Sequence, residues 1–266
     1  MLRVFYSYFY TIIDYHTTYK PEFPLNQIID TIWVAKADSF DFSARHHAPL
    51  FTELIFNYGD QFRVEGENTD SFGASKSGHF IISGLKTTPF RTTLSGKHLN
   101  VGFLLKPHYY GILQRKLGSK EMFALSKVIF HELVEPGTPN FKKAEPALIS
   151  FFVFADIDPD LEKFERQISP QFMRSGALRD FNHSITVTQK SFIEKFKKFY
   201  VITPSEFLRL KQVNYATMLI QRHPNAALTQ IGFESGFYDQ SHFIRVFKKH
   251  HGCTPKQFQN SRFGRG

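Results

Sequence analysis

Near the C-terminus, Gln240, Ser241, His242, Arg245 and Lys249 share a segment with Phe243 and Phe247. If that segment is a helix with the two phenylalanines turned inward, the five polar and basic residues fall largely on its outward face. Amide, hydroxyl, imidazole and guanidinium groups suit the donor and acceptor edges of DNA bases, and lysine suits phosphate. The residues just before them, Ile231-Gly232-Phe233-Glu234-Ser235-Gly236-Phe237 and then Asp239, have the layout of a helix-turn-helix. Gly232 lets two helices approach closely, Gly236 supplies the turn, and Asp239 can N-cap the helix that follows.

Other chemistry finds less support. His46-His47 and Glu53 lack the His-x-His spacing of a mononuclear metal site, because adjacent strand residues point to opposite faces. No metal or other cofactor is expected. The single cysteine, Cys253, excludes an internal disulfide and a cysteine-based zinc cluster, and its apolar position in the pattern reads as a buried, inert thiol. His250-His251 read as an extension of the basic surface. There is no Ser/His/Asp constellation, glycine-rich phosphate loop or paired-carboxylate arrangement, so an enzyme is not expected.

The charge is unevenly spread. From Pro170 onward 15 Lys/Arg stand against 5 Asp/Glu, a net +10, whereas residues 1–169 carry 18 against 19. A domain of one sign is a footprint for a polyanion such as nucleic acid, although a solvated basic face would look the same. With 42% hydrophobic residues and 31 phenylalanines among 266 residues, the chain has enough apolar material for two domains. The longest apolar stretch, Ala147 to Ala155, is too short for the ~20 residues of a membrane span. The N-terminus lacks a small-residue cleavage site, and a reducing cytoplasm fits the cysteine usage.

The elements that must position these residues divide the chain in three. Residues 1–140 read as mostly β and barrel-like: Leu99, Val101, Phe103 and Leu105 alternate with Asn100, Gly102 and Leu104, the period of a half-buried strand, and Leu54, Phe56 and Tyr58 recur at the same spacing. Ser95-Gly96-Lys97 reads as a hairpin turn between two such runs, and Leu25, Ile28, Ile29 and Ile32 read as a short helix. Residues 141–169 read as a helical connection, with helices over 144–154 and 160–168 broken at Asp158-Pro159 and an apolar face of Leu161, Phe164 and Ile168 that could serve dimerisation or internal packing. Residues 170–266 contain an internal repeat. A shift of 51 places Phe192 on Phe243, Phe196 on Phe247, Thr203-Pro204 on Thr254-Pro255 and Phe207 on Phe258. Thr203-x-x-Glu206 and Thr254-x-x-Gln257 are capping boxes with proline at the first helical position. The fold class is therefore α+β, a β domain followed by an all-α bipartite helix-turn-helix domain.

Residues 231–258, IGFESGFYDQSHFIRVFKKHHGCTPKQF, resemble the C-terminal signature of the AraC/XylS family of transcription regulators, and the resemblance reaches back over the first copy to cover roughly the last 95 residues. It implies two helix-turn-helix units joined by a long helix from about Pro204 to Arg222, roughly 28 Å at 1.5 Å per residue, against the ~34 Å between successive major grooves on one face of DNA. By matching, the first recognition helix starts at Thr188 and presents Gln189, Lys190, Ile193, Glu194 and Lys197. Glu194 departs from the usual basic or polar occupant; it could accept from cytosine, repel phosphate, or pair with Lys190 or Lys198. Asn182, Thr186 and Val201 stand where the pattern has a small residue and two glycines, which implies either a first reader that packs less well and reads bases weakly or a slightly different turn that absorbs all three and leaves binding unaffected. The N-terminal half is loosely similar to cupin-like regulatory domains, implying sensing or self-association. The implied partners are double-stranded DNA, a small-molecule effector, a second copy of the chain and, for an activator, RNA polymerase. The alternative is a ligand- or partner-binding protein whose C-terminal domain has lost specific DNA binding.

Overall fold

The computed structural model describes residues 15–48, 50–60, 63–66, 80–116, 119–152, 158–169 and 176–263. The chain divides into two units, one built from the chain up to Arg45 with Phe51–Leu85 and Arg91–Ala155, the other from His46–Leu50, Lys86–Phe90 and everything from Asp156 onward.

In the first unit the described strands are β1 (Tyr15–Tyr19), β2 (Ile29–His46), β3 (Thr52–Asn57), β4 (Arg63–Gly66), β5 (Phe80–Ser83) and β6 (Phe90–Leu105). They form one sheet in the order β1-β2-β6-β3-β5, with β4 also on β6. The pairs β1–β2, β3–β5 and β3–β6 are antiparallel. Register places Leu54 opposite Phe103 and Ile82, and Phe56 opposite Val101 and Phe80, so one face of the sheet is a continuous apolar stripe. The helices α1 (Tyr110–Lys116), α2 (Lys120–Ile129) and α3 (Phe141–Phe151) bury Tyr110, Leu113, Met122, Leu125, Ile129, Leu148 and Phe151 in the same core. The other face carries Trp33, Ala35 and Leu104 with Phe51 and Ile55. Gly102 lies under the Trp33 ring, where a Cβ would come within 2.0 Å of it. Trp33 Nε1 donates to Glu53 Oε1 at 3.0 Å.

Two local expectations are corrected here. Ser95-Gly96-Lys97 is not a hairpin turn: β6 runs through it, because Gly96 takes φ +101° and Asp60 Oδ2 accepts from Lys97 N at 2.7 Å, which kinks the strand without reversing it. Leu25, Ile28, Ile29 and Ile32 are all buried, but only Leu25–Gln27 make a turn of 3-10 helix and β2 begins at Ile29. Their spacing matches a helix, yet isoleucine next to a β-branched, aromatic run extends just as readily.

The second unit contains α4 (Pro159–Gln167), α5 (Ala177–Asn182), α6 (Gln189–Tyr200), α7 (Pro204–Arg222), α8 (Leu228–Glu234), α9 (Gln240–His251) and α10 (Pro255–Phe263). Asp158 caps α4 by accepting from Asp160 N at 3.0 Å. The apolar face of α4 closes the first of two small cores: Leu161, Phe164 and Ile168 are fully buried, and the Phe164 ring meets Phe181, Phe192 and Phe196 at 4.9, 5.5 and 5.3 Å. The second core gathers Val213, Ala216, Ile220, Ile231, Phe237, Phe243, Phe247 and Phe258, with Cys253 against it.

Candidate nucleic-acid interface

The two cores are built alike. Tyr200 stacks on Phe196 at 3.9 Å and 6°; 51 residues on, His251 stacks on Phe247 at 4.2 Å and 12°. Phe196–Phe207 and Phe247–Phe258 are 5.6 and 5.7 Å apart. Each following helix starts at a reciprocal cap: Thr203 Oγ1 accepts from Glu206 N while Thr203 N donates to Glu206 Oε2, and Thr254 and Gln257 do the same. The repeated sequence is thus a repeated three-dimensional unit, and α7, 19 residues long, belongs to both copies.

Within each copy the recognition helix is capped and amphipathic. Asp239 Oδ1 accepts from His242 N at 2.7 Å to start α9, and Thr188 Oγ1 accepts from Ser191 N at 3.2 Å to start α6. Phe243, Val246, Phe247, His250 and His251 face the core, leaving Gln240, Ser241, Ile244, Arg245, Lys248 and Lys249 exposed in one stripe. His242 is half-buried at the edge of that stripe, with its ring edge-on to Phe237 at 5.5 Å. In α6 the exposed stripe is Gln189, Lys190, Ser191, Glu194, Lys197 and Lys198, with Ile193 half-buried. All nine expected site residues therefore lie on or beside an outward face. Ile244, Lys248 and Lys198 share those faces and follow from the same periodicity. Glu194 makes no ion pair with a described residue, so the local pairing considered for it is absent.

Electrostatics single out the start of α9. Burial, then Arg209, then Arg245 push the His242 imidazole below its usual pKa, with Asp239 opposing. Arg209, half-buried on α7, is itself pushed down by burial and by Arg245. Nothing in the local sequence marks Arg209, since it stands over thirty residues from its neighbours on α9.

Three sequence readings need correction. His250 and His251 do not extend the basic surface: they are 2% and 9% exposed, His251 Nε2 lies 2.8 Å from Thr217 Oγ1, and burial holds His250 at about 4. Two short earlier segments belong to this unit as well, with Ala48 N donating to His250 O at 3.2 Å and His47 stacked on His251 at 4.5 Å. The residue at the helix crossing of the first copy is Phe181 and not Asn182; its ring lies 4.7 Å from Phe192, where the second copy has Gly232 against Phe243. Thr186 carries no positive φ, so the first turn takes a different path from the one Gly236 makes at φ +80°. Val201 alone meets the expected strain, with φ 64° and ψ −6° at the end of α6, where Gly252 ends α9 at φ 74°.

A bipartite helix-turn-helix with a basic outward face on each recognition helix defines a DNA-binding domain. Residues 183–261 match the helix-turn-helix domain family, and residues 17–116 match a domain of unknown function (DUF6597). The C-terminal domain is an AraC-type helix-turn-helix domain. The chain is 25% identical over 122 residues to the HTH-type transcriptional regulator ExsA of Pseudomonas aeruginosa, covering 41% of this chain and 44% of that protein. It is 25% identical over 96 residues to the virulence regulon transcriptional activator VirF of Yersinia enterocolitica, covering 36% and 35%. The chain thus spans less than half the length of these curated relatives. The crystal structure of ToxT from Vibrio cholerae O395 aligns with a TM-score of 0.43 at 17% identity, over 85% of this chain and 99% of that one.

Proposed function

We propose that the protein is a sequence-specific regulator of transcription that sets α6 and α9 into successive major grooves of duplex DNA. The observation that carries this reading is the pair of capped recognition helices, equivalent in sequence and in packing, at either end of one 19-residue helix in a region of net charge +10. Gln240, Ser241, His242 and Arg245 read base edges under α9; Gln189, Lys190 and Glu194 face bases under α6; Lys197 and Lys249 hold phosphates. Relatives named as transcriptional regulators and activators support this reading.

The N-terminal unit serves sensing or self-association, with a small-molecule effector, a second copy of the chain and, for activation, RNA polymerase as the partners. An effector site in it is supported by buried polar groups on β6: His98 and Asn100 are 5% and 1% exposed, their side chains are 3.0 Å apart, and Asn100 Oδ1 accepts no hydrogen bond from a described residue. The test of DNA binding is titration of a labelled random-sequence duplex, in which log K falls steeply and linearly with log salt. Binding that ignores salt, or no binding, refutes the reading. Selection from a random DNA library then yields the preferred site, and light scattering of the full chain tests self-association.

A further inference from the structure

Each recognition helix is tied at both ends to the described helix before its own helix-turn-helix. In the second copy that helix is α7. Gln212, 2% exposed, donates from Nε2 to Gly236 O at 2.8 Å, in the turn that leads into α9. Further along α7, Thr217 Oγ1 donates to Val213 O at 2.8 Å. The hydroxyl oxygen is thereby left to accept from Nε2 of His251, the last residue of α9, also at 2.8 Å. Val213 and Ala216, between the two ties, pack into the second core. In the first copy α4 plays the same part. Lys163 Nζ donates to Ser184 O at 2.5 Å, in the turn that leads into α6, and Glu165 Oε1 accepts from the hydroxyl of Tyr200, the last residue of α6. Phe164, between those two, is the ring that meets Phe181, Phe192 and Phe196 in the first core.

The tie points correspond. Tyr200 and His251 are 51 residues apart, the shift of the repeat, and Ser184 stands one place before the residue matched to Gly236. The chemistry differs: an amide and a hydroxyl in one copy, an ammonium and a carboxylate in the other. The first copy has a further tie, with Lys195 Nζ on α6 at 2.9 Å from Asp158 Oδ2 and 3.0 Å from Asp160 Oδ2 at the start of α4. Burial of the phenylalanines fixes which face of a recognition helix turns inward, but apolar burial has no direction. A hydrogen bond holds only within a narrow range of distance and angle, so two at opposite ends of a helix fix its heading. Each recognition helix has 12 residues and is roughly 18 Å long. A swing of about 10° displaces its far end by about 3 Å, close to the ~3.4 Å step between base pairs.

We propose that Gln212 and Thr217 on α7, and Lys163 and Glu165 on α4, are positioning residues: each pair holds one recognition helix by its turn carbonyl and its terminal aromatic ring, and together they set the spacing between half-sites that the two readers accept. This rests on the DNA-binding reading above. It deepens that reading by giving specificity for spacing to four residues that themselves read no base.

The test titrates the full-length protein with the selected site after its two half-sites have been moved apart or together by about one to three base pairs, each of which turns one half-site by roughly 35° against the other. Wild type is expected to bind one spacing about tenfold more tightly than its neighbours, because only that spacing lets both rigidly held readers engage at once. Thr217→Val, which keeps the side-chain shape, and Tyr200→Phe, which keeps the stacked ring, should each cut that preference to about twofold. Affinity for a duplex carrying a single half-site, and the ranking of base substitutions within it, should stay as in wild type. Thr217→Ser, which restores the hydroxyl, should recover the wild-type profile. Gln212→Met and Lys163→Met should behave like Thr217→Val and Tyr200→Phe, and they replace either one that fails to fold by far-UV circular dichroism. An unchanged spacing profile in the folded variants overturns the proposal. So does a loss of affinity that is equal at every spacing, which is what lower stability alone produces, and so does an altered base ranking, which is what direct contact produces. A wild type that binds DNA without a spacing preference also overturns it, whereas a wild type without salt-dependent binding removes the DNA-binding reading on which it stands.

Discussion

Replacing Val201 tests the one strained position in the repeat. Val201 closes α6 with φ 64° and ψ −6°, its N–H donating to Lys197 O at 3.0 Å, and the side chain is 43% exposed. A left-handed backbone costs an L-residue with a Cβ about 1–2 kcal/mol, which glycine escapes. Against this stands the greater freedom that glycine loses on folding, about 0.5–1 kcal/mol relative to alanine. Comparing Val201→Gly directly with Val201→Ala cancels the loss of the isopropyl group, since both variants lack it. Val201→Gly should then be the more stable of the two by about 1 kcal/mol, the reverse of the sign that an alanine-to-glycine change has in a helix interior. Guanidinium chloride unfolding followed by far-UV circular dichroism measures the difference. Gly252→Ala, at φ 74° and ψ 1°, should lose about the same amount. If Val201→Gly is less stable than Val201→Ala, the α6 cap is not left-handed and the first copy is not strained there.

Four further outcomes are expected. Arg245→Ala and Gln240→Ala should each cost about 1–3 kcal/mol on the selected site and relax base preference there, whereas Lys249→Ala should weaken all sequences alike and reduce the salt slope; identical behaviour in all three refutes the division into base and phosphate contacts. Base changes under α9 should cost more than changes under α6, whose stripe carries the unpaired Glu194 where α9 has Arg245; equal penalties in a half-site scan refute the asymmetry. A C-terminal fragment beginning at Asp158 should be several kcal/mol more stable than one beginning at Pro170, because only the first keeps Leu161, Phe164 and Ile168 in the core of the first copy, and equal melting curves would show that α4 is dispensable. Burial holds His46, His98 and His250 at about 4 against an ordinary 6.5, so all three are neutral when folded near neutrality. Their contribution is fully present above pH 6.5 and is lost as the pH falls towards 4, by up to about 3 kcal/mol each. His250→Gln should make that loss shallower, and an unchanged pH profile of unfolding would refute its burial as a neutral group.

The repeat, its caps and the exposed stripes could be read directly from the chain because they are local: a helical period and a capping box depend on residues three or four apart, and a 51-residue shift makes each copy a check on the other. The period-2 spacing of apolar residues in β3 and in the second half of β6 was legible for the same reason, although residues 100–105 are buried on both faces of the sheet. What the tertiary structure decided depends on which residues meet across the chain. Gly96 reads as a turn until Asp60, brought in from another segment, accepts the Lys97 N–H and keeps β6 running. His250 and His251 read as basic surface until Thr217, Phe247 and their neighbours bury them. The 51-residue shift sets Phe181 on Gly232, but what accommodates its ring is Phe164, which comes from a helix beyond the repeat and so is invisible to a comparison of the two copies. Arg209 is the sharpest instance. Its sequence neighbours are those of an ordinary helix, and only the tertiary fold makes burial, together with the charge of Arg245, hold its pKa down, because Coulomb repulsion depends on distance in space and not on separation along the chain.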